Sequence, residues 1–201
     1  MLSGSALREA LSTVPLHTFE GTLYRAVELR HLPTLLSSIG SLLSDNRYTP
    51  KGLSHALYLA DGPDQAMLEA TRSYQRVFPE SRVPAYAVYP VHVDLAKVLD
   101  LTREDVLELL ATSLMELTGD WRATQRLGQR IPTQELGRAA FEGGLEALKY
   151  PSAYHTLEGR ANMVLFTEHT ARFEPELPAS VLEAMRHLET RANQVNPLPT
   201  N

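Results

Sequence analysis

The fold of this chain is best approached from residues 46–60, which read NRYTPKGLSHALYLA. Pro50 and Gly52 mark a turn-rich loop, and the apolar residues after it predict a short buried strand over 56–60. The turn that follows, residues 61–64 (DGPD), predicts the start of a helix over about 64–77. The segment therefore presents Arg47 in a loop that runs directly into a strand.

Outward from this segment, hydrophobic periodicity predicts further short strands and helices. The expected strands cover 23–27, 85–94 and 163–166, and the expected helices cover 5–13, 33–43, 106–117, 133–148 and 180–191. These elements follow one another without a regular strand–helix period. We therefore expect an α+β fold around a small mixed sheet with surrounding helices.

Composition excludes several classes of protein. The 201 residues favour one domain. Nineteen Lys and Arg against 24 Asp and Glu give a net charge of −5, which disfavours nucleic-acid binding by phosphate neutralisation. The absence of cysteine excludes disulfides, Cys-based zinc sites and a thiol nucleophile. Neither a signal-peptide pattern nor a membrane-length apolar run is present, so we expect a cytoplasmic protein without membrane contact.

Common catalytic motifs are also missing. Neither glycine-rich phosphate-binding pattern, G-x-G-x-x-G or G-x-x-x-x-G-K-[ST], occurs, and the nucleophile motif G-x-S-x-G is absent. The seven histidines never form H-x-x-x-H or H-E-x-x-H. The spacing therefore predicts no metal site.

Three segments combine polar residues with turns or small residues. They are the loop around Arg47, the stretch Ala66-Met-Leu-Glu69-Ala70, and Tyr150-Pro-Ser152-Ala153 followed by Asn162. Each segment alone is compatible with a structural role. A loop arginine is usually solvated. A glutamate near the start of a helix is stabilised by the helix dipole. Composition and periodicity alone reach no further than a globular α+β domain.

Together, however, these segments resemble the RES domain, a toxin family named for a shared Arg, Glu and Ser. The run Arg47-Tyr48-x-Pro50-x-Gly52 into Ala56-Leu57-Tyr58, the glutamate in Ala66-x-x-Glu69, and Pro151-Ser152-Ala153 with Asn162 carry the resemblance. Tyr24-Arg25-Ala26-Val27 is similar to the opening strand of the family. The similarity extends over about residues 22–170, and the order of these motifs is more specific than any one of them.

The resemblance implies a fold similar to that of ADP-ribosyltransferases, with a small split sheet and a cleft for NAD. It implies an N-terminal helical extension (1–20), an NAD-binding catalytic domain (21–175), and a C-terminal helix with a frayed tail (176–201). It further implies a toxin that degrades NAD at the nicotinamide–ribose bond, by hydrolysis or phosphorolysis. An Xre-like antitoxin is expected to cover the cleft, and homo-oligomerisation is possible within this family.

The family motifs also assign roles to residues of this chain. Glu69 is the expected catalytic carboxylate, because a carboxylate stabilises the oxocarbenium-like ribose that forms when nicotinamide leaves. Arg47 is expected to act in catalysis together with Glu69, as the cation that holds the pyrophosphate of NAD. NAD is expected as substrate, with no metal. The remaining contacts to NAD are expected from Arg25, Tyr48, Tyr58, Ser152 and Asn162.

Other functions stay open at this point. The same chemistry with a protein acceptor would give an ADP-ribosyltransferase, and a cleft without turnover would give a nucleotide-binding module. A serine hydrolase would use Ser152 with His155 or His169, but no nucleophile motif supports it.

Overall fold

The chain folds into a mixed β-sheet surrounded by helices. The structure is a computed structural model, and it describes residues 1–154, 159–181 and 183. The strands are β1 (His17–Glu28), β2 (Ala56–Ala60), β3 (Tyr86–Asp100), β4 (Ala147–Pro151), β5 (Ala161–Phe166) and β6 (Phe173–Pro175). The helices are α1 (Gly4–Thr13), α2 (Ile39–Leu43), α3 (Pro63–Val77), α4 (Glu104–Leu109), α5 (Leu114–Thr118), α6 (Trp121–Arg126) and α7 (Pro132–Glu142), with a 3-10 helix at Leu29–Thr34. The expected class, helices around a mixed sheet, is confirmed.

The sheet closes on itself. The strand order is β1-β2-β5-β4-β3-β6, and β1 also pairs with β3, so five strands form a ring with β6 attached to β3. The closing pair is long and antiparallel, running from Phe19↔Leu95 to Glu28↔Tyr86. The split sheet expected from the resemblance is therefore not observed, because the β1–β3 ladder joins its two sides.

Two hydrophobic clusters divide the core. One draws on all five strands of the ring, with members such as Leu23, Leu57, Val91 and Leu165, as expected for the interior of a small barrel. The other lies between the sheet and helices α1, α4, α5 and α7. Alternation along β5 places successive side chains in different clusters. This explains why every residue of β5 is buried.

Three expected helices differ in their extent. The helix expected over 33–43 is a 3-10 helix followed by α2. The helix expected over 106–117 is broken into α4 and α5, because Ser113 caps α5 by accepting a hydrogen bond from the Glu116 N–H. The helix expected over 133–148 ends at Glu142 ahead of Gly144, whose φ of +73° favours glycine. Residues 147–151 form β4 instead.

The N-terminal helix belongs to the main core. Leu7 and Leu11 of α1 are buried in the same cluster as Phe166 of the sheet. At the other end, most of the helix expected over 180–191 and of the tail to 201 lies outside the described residues. Within the part of the chain that the structure describes, no helix is long and apolar enough to cross a membrane.

Candidate active site

A cavity of about 590 Å³ is lined by β1, β2, α3, α6 and the segment 37–47. Its volume falls in the range of about 300–1,000 Å³ that is usual for small-molecule sites. The end of β2 lies at the cavity, and β2 leads through a tight turn into α3. Five of the residues expected from the sequence line this cavity: Arg25, Arg47, Tyr58, Glu69 and Asn162.

One face of α3 forms a wall of the cavity. Its lining residues are Ala66, Glu69, Ala70, Ser73 and Arg76. They recur every three or four residues, the spacing that puts side chains on one face of a helix. The two alanines leave room around the carboxylate. The same periodicity, counted from Glu69, was the signal that could have added Ser73 and Arg76 to the expected site.

The carboxylate of Glu69 is held by two donors. Its Oε1 accepts hydrogen bonds from Asn162 Nδ2 at 2.8 Å and from Ser152 Oγ at 3.1 Å. Its Oε2 has no hydrogen-bond partner among the described residues. Two donors on one oxygen orient the carboxylate and leave the other oxygen for a ligand in the cavity.

Gln65 lies one helical turn before Glu69 and is fully buried. Its Nε2 donates to Asn162 Oδ1 at 2.6 Å and to the Ala161 carbonyl at 2.9 Å. Because Asn162 receives a donor on its oxygen, its amide nitrogen must point to Glu69. Gln65 thus sets the orientation of the residue that holds Glu69. Sequence reasoning missed it, since nothing local distinguishes a buried glutamine from a surface one.

Replacing Gln65 by methionine should therefore disturb the carboxylate without changing the packed volume. Loss of the donor is expected to lower the free energy of unfolding by about 1–3 kcal/mol. Misorientation of Glu69 is expected to lower kcat of the NAD cleavage that the family resemblance implies about 10-fold or more. Urea unfolding and nicotinamide release measure the two effects. Gln125→Met is the matched control, because Gln125 makes an exposed hydrogen bond to Asp45; a Gln65 variant that loses only stability would contradict the positioning role.

Arg47 is anchored to the end of α5. Its Nη1 donates to the carbonyls of Leu117 at 2.6 Å and Gly119 at 2.9 Å. Carbonyls at the end of a helix lack partners within it, and a cation is favoured there. The Nε and Nη2 groups have no partner among the described residues, so they are left for a ligand.

Arg25 is engaged differently. Its Nη1 donates to the Leu35 carbonyl at 2.8 Å and its Nη2 to the Ser37 carbonyl at 3.0 Å. Both terminal nitrogens therefore fasten the segment after the 3-10 helix to β1. Arg25 lines the cavity, but only its Nε has no partner among the described residues, whereas Arg47 keeps both Nε and Nη2 without one.

The expected aromatic residues divide between the cavity and the core. Tyr58 lines the cavity, and its hydroxyl is paired with Thr49 Oγ1 at 2.9 Å. Burial raises the pKa of Tyr58 to about 12, so it is protonated at neutral pH. Tyr48 is 0% exposed and does not line the cavity. It packs behind Tyr150, with ring centroids 4.6 Å apart, and so the structure does not place it where the expected contact with NAD would be made.

Tyr150, which was not among the expected site residues, lines the cavity instead. Burial, with the nearby Tyr58 hydroxyl and the Glu69 carboxylate, raises the pKa of Tyr150 well above its usual value. Its hydroxyl is therefore protonated at neutral pH. A protonated phenol can donate a hydrogen bond but cannot act as a base.

Ser152 lies behind the carboxylate and is not among the residues that line the cavity. Its hydroxyl donates to Glu69, whereas a direct contact with NAD was expected from the sequence. His169 is not brought to Ser152, because its Nδ1 pairs with the Leu145 carbonyl at 2.7 Å and its ring stacks on Phe141. The other possible partner, His155, lies outside the described residues. The geometry thus gives no support to a serine hydrolase that uses His169.

The cavity carries further cations that the sequence analysis did not select. Arg76 and Arg122 line it together with Arg25 and Arg47. The guanidinium of Arg122 lies over the Trp121 ring, 4.4 Å from the centroid, and Trp121 is the single tryptophan of the chain. Across residues 1–154, 159–181 and 183, no group of three His, Asp or Glu side chains is placed to hold a metal ion.

Comparison with known proteins identifies relatives of the chain. The family model of the RES domain matches residues 22–188. A chain in the crystal structure of the M. tuberculosis MbcT-MbcA toxin-antitoxin complex superposes with a TM-score of 0.66 and 22% sequence identity. The match covers 92% of this chain and 98% of that chain, and at this identity it shows a shared fold. No curated protein matches the sequence.

Proposed function

The chain belongs to the RES domain family, and on that premise we propose that it is a toxin that consumes NAD by cleaving the nicotinamide–ribose bond. The observation that carries this proposal is the state of Glu69. One carboxylate oxygen is held by Asn162 and Ser152, and the other is free at a cavity of the right size for a nucleotide. A fixed carboxylate suits a reaction in which positive charge develops on a sugar.

In the proposed reaction the bond between ribose C1′ and the pyridinium nitrogen breaks, and its electron pair stays on nicotinamide. The nitrogen loses its formal positive charge, and that charge moves to the ribose as an oxocarbenium-like centre. Oε2 of Glu69 stabilises this centre or accepts a hydrogen bond from a ribose hydroxyl. Because nicotinamide leaves as a neutral molecule, no general acid is needed. This agrees with the neutral, weakly acidic hydroxyls of Tyr58 and Tyr150 at the cavity.

The acceptor then completes the reaction at C1′. Attack by water at this carbon yields ADP-ribose and releases one proton to solvent. Attack by inorganic phosphate yields ADP-ribose that carries a phosphate on the same carbon. Transfer to a protein side chain is the second candidate outcome of the same chemistry. A cavity lined by arginines favours an anionic substrate in each case.

An antitoxin that covers the cavity is part of the proposal. The segment beside the cavity exposes three large apolar side chains, Leu29, Ile39 and Leu43, and Ile39 itself lines the cavity. Apolar side chains of this size gathered at a site are typical of a surface that a partner covers. The structural neighbour also comes from a toxin-antitoxin complex. An Xre-like antitoxin is the partner that the family implies.

Release of free nicotinamide tests the proposed function. Purified protein, freed of any partner, is mixed with NAD, with and without inorganic phosphate, and nicotinamide and ADP-ribose products are followed by chromatography. We expect nicotinamide release from NAD but not from NADH, because reduced nicotinamide carries no positive charge to neutralise on leaving. Equal breakdown of NADH, or no release from NAD by folded protein, would contradict the proposal.

A further inference from the structure

Many arginines of this structure are paired with carboxylates. Six of them form ion pairs with carboxylates on the surface: Arg8, Arg30, Arg103, Arg130, Arg160 and Arg172. The arginines that line the cavity form no ion pair within the described residues. The chain carries a net charge of −5, yet four arginines without an ion-pair partner among the described residues line this one cavity.

Three of these arginines, Arg47, Arg76 and Arg122, line the same cavity, and the charges of the first two act on the third. Burial of Arg122, followed by the charges of Arg76 and Arg47, lowers the pKa of its guanidinium below its usual value. Asp120 is nearby, but its Oδ1 accepts hydrogen bonds from the Arg122 and Ala123 N–H groups as the cap of α6. The charge of Asp120 offsets part of the repulsion that Arg122 experiences from Arg76 and Arg47, but Asp120 forms no ion pair with any of the three.

The three side chains are held by separate supports. Arg47 is tied through Nη1 to the end of α5. Arg122 is stacked on Trp121, which fixes the plane of its guanidinium and leaves the N–H edge unpaired. Arg76 extends from α3, on the same face as Glu69 and about 10 Å further along the helix axis.

We infer that Arg47, Arg76 and Arg122 form a phosphate-binding subsite at one end of the cavity. The ligand chemistry is that of phosphate oxygens, which planar guanidinium groups bind through paired N–H donors. Two sources could supply it: the pyrophosphate of NAD, or inorganic phosphate that acts as acceptor. The inference rests on the proposed NAD site, and it adds Arg76 and Arg122, which no sequence motif selected.

Calorimetric titration separates the two sources. ADP-ribose contains the pyrophosphate but no scissile bond, adenosine is the matched ligand without phosphate, and inorganic phosphate is titrated alone. For Arg122→Gln and Arg76→Gln we expect ADP-ribose to bind about 10- to 100-fold more weakly, with adenosine unchanged. If only the binding of inorganic phosphate weakens, the subsite serves the acceptor.

Arg126→Gln is the matched control, because Arg126 lies on α6 one turn after Arg122 and is not among the residues that line the cavity. Arg76 is exposed, so its variant tests the subsite even if loss of the Trp121 contact unfolds the Arg122 variant. In kinetics the same variants should raise KM for NAD and change kcat little.

The inference would be overturned if both variants bound ADP-ribose and inorganic phosphate as tightly as the control, or if wild-type protein bound neither. Its failure is distinct from failure of the proposed function. Unchanged affinities in a protein that releases nicotinamide would remove the subsite alone. Weakened affinities in a protein that releases none would retain the subsite and remove the reaction.

Discussion

Replacement of Glu69 by glutamine is expected to lower nicotinamide release from NAD by about 10²- to 10³-fold, the loss typical of removing one group that stabilises transition-state charge. Glutamine keeps an oxygen that can accept the hydrogen bonds of Asn162 and Ser152, so the fold should be retained. The negative charge that would face the ribose is lost. Initial rates of nicotinamide release at saturating NAD measure the effect, and thermal unfolding checks the fold.

Glu28→Gln provides the matched control. Glu28 also lines the cavity, but its carboxylate pairs with Arg30 at 2.7 Å on the side of β1. We expect this variant to retain most of the activity. Near wild-type turnover in Glu69→Gln would show that another group carries the reaction, and equal losses in both variants would point to the total charge of the cavity.

The second large effect concerns stability, and it arises at Gly137 in α7. A Cβ built at this position would lie 1.7 Å from the Tyr48 carbonyl oxygen and 2.7 Å from its carbonyl carbon. Both obstacles are backbone atoms, which cannot rotate away as a side chain can. Gly137→Ala is therefore expected to lower the free energy of unfolding by about 3 kcal/mol or more. Denaturant unfolding followed by circular dichroism measures it.

Gly40→Ala is the control for this substitution. Gly40 lies in α2, and a Cβ there would meet nothing within 4 Å. Alanine has the higher helix propensity, so we expect a gain of up to about 1 kcal/mol. A neutral Gly137→Ala would mean that α7 can move away from residue 48.

Local patterns predicted the elements around the site well. The strand over 56–60 has the expected bounds, and the helix expected over about 64–77 is α3. Both carry strong local signals, since a buried strand of five residues is followed by a turn with a proline in the first turn of the helix. The prediction of one continuous helix over 106–117 was wrong, because a single serine cap interrupts an apolar stripe that is otherwise continuous.

The expected site residues show a similar division. Their chemical types identified the cavity, because Glu69, Arg47 and Asn162 meet there although they lie on α3, a loop and β5. The orientation of individual side chains could not be predicted. Consecutive residues in the loop have opposite environments: Arg47 lines the cavity, and Tyr48 is buried against α7.

The amino-acid sequence was sufficient to infer the class of fold from local periodicity, and the order of its motifs was sufficient to infer the family and, through the resemblance, five residues that line the cavity. The closure of the sheet depends on the β1–β3 ladder, which pairs residues far apart in the chain. Likewise, the Gln65–Asn162–Glu69 contacts and the three-arginine cluster join separate elements. Such contacts form only when the packed core brings distant segments together, and no local pattern encodes which partner each side chain meets.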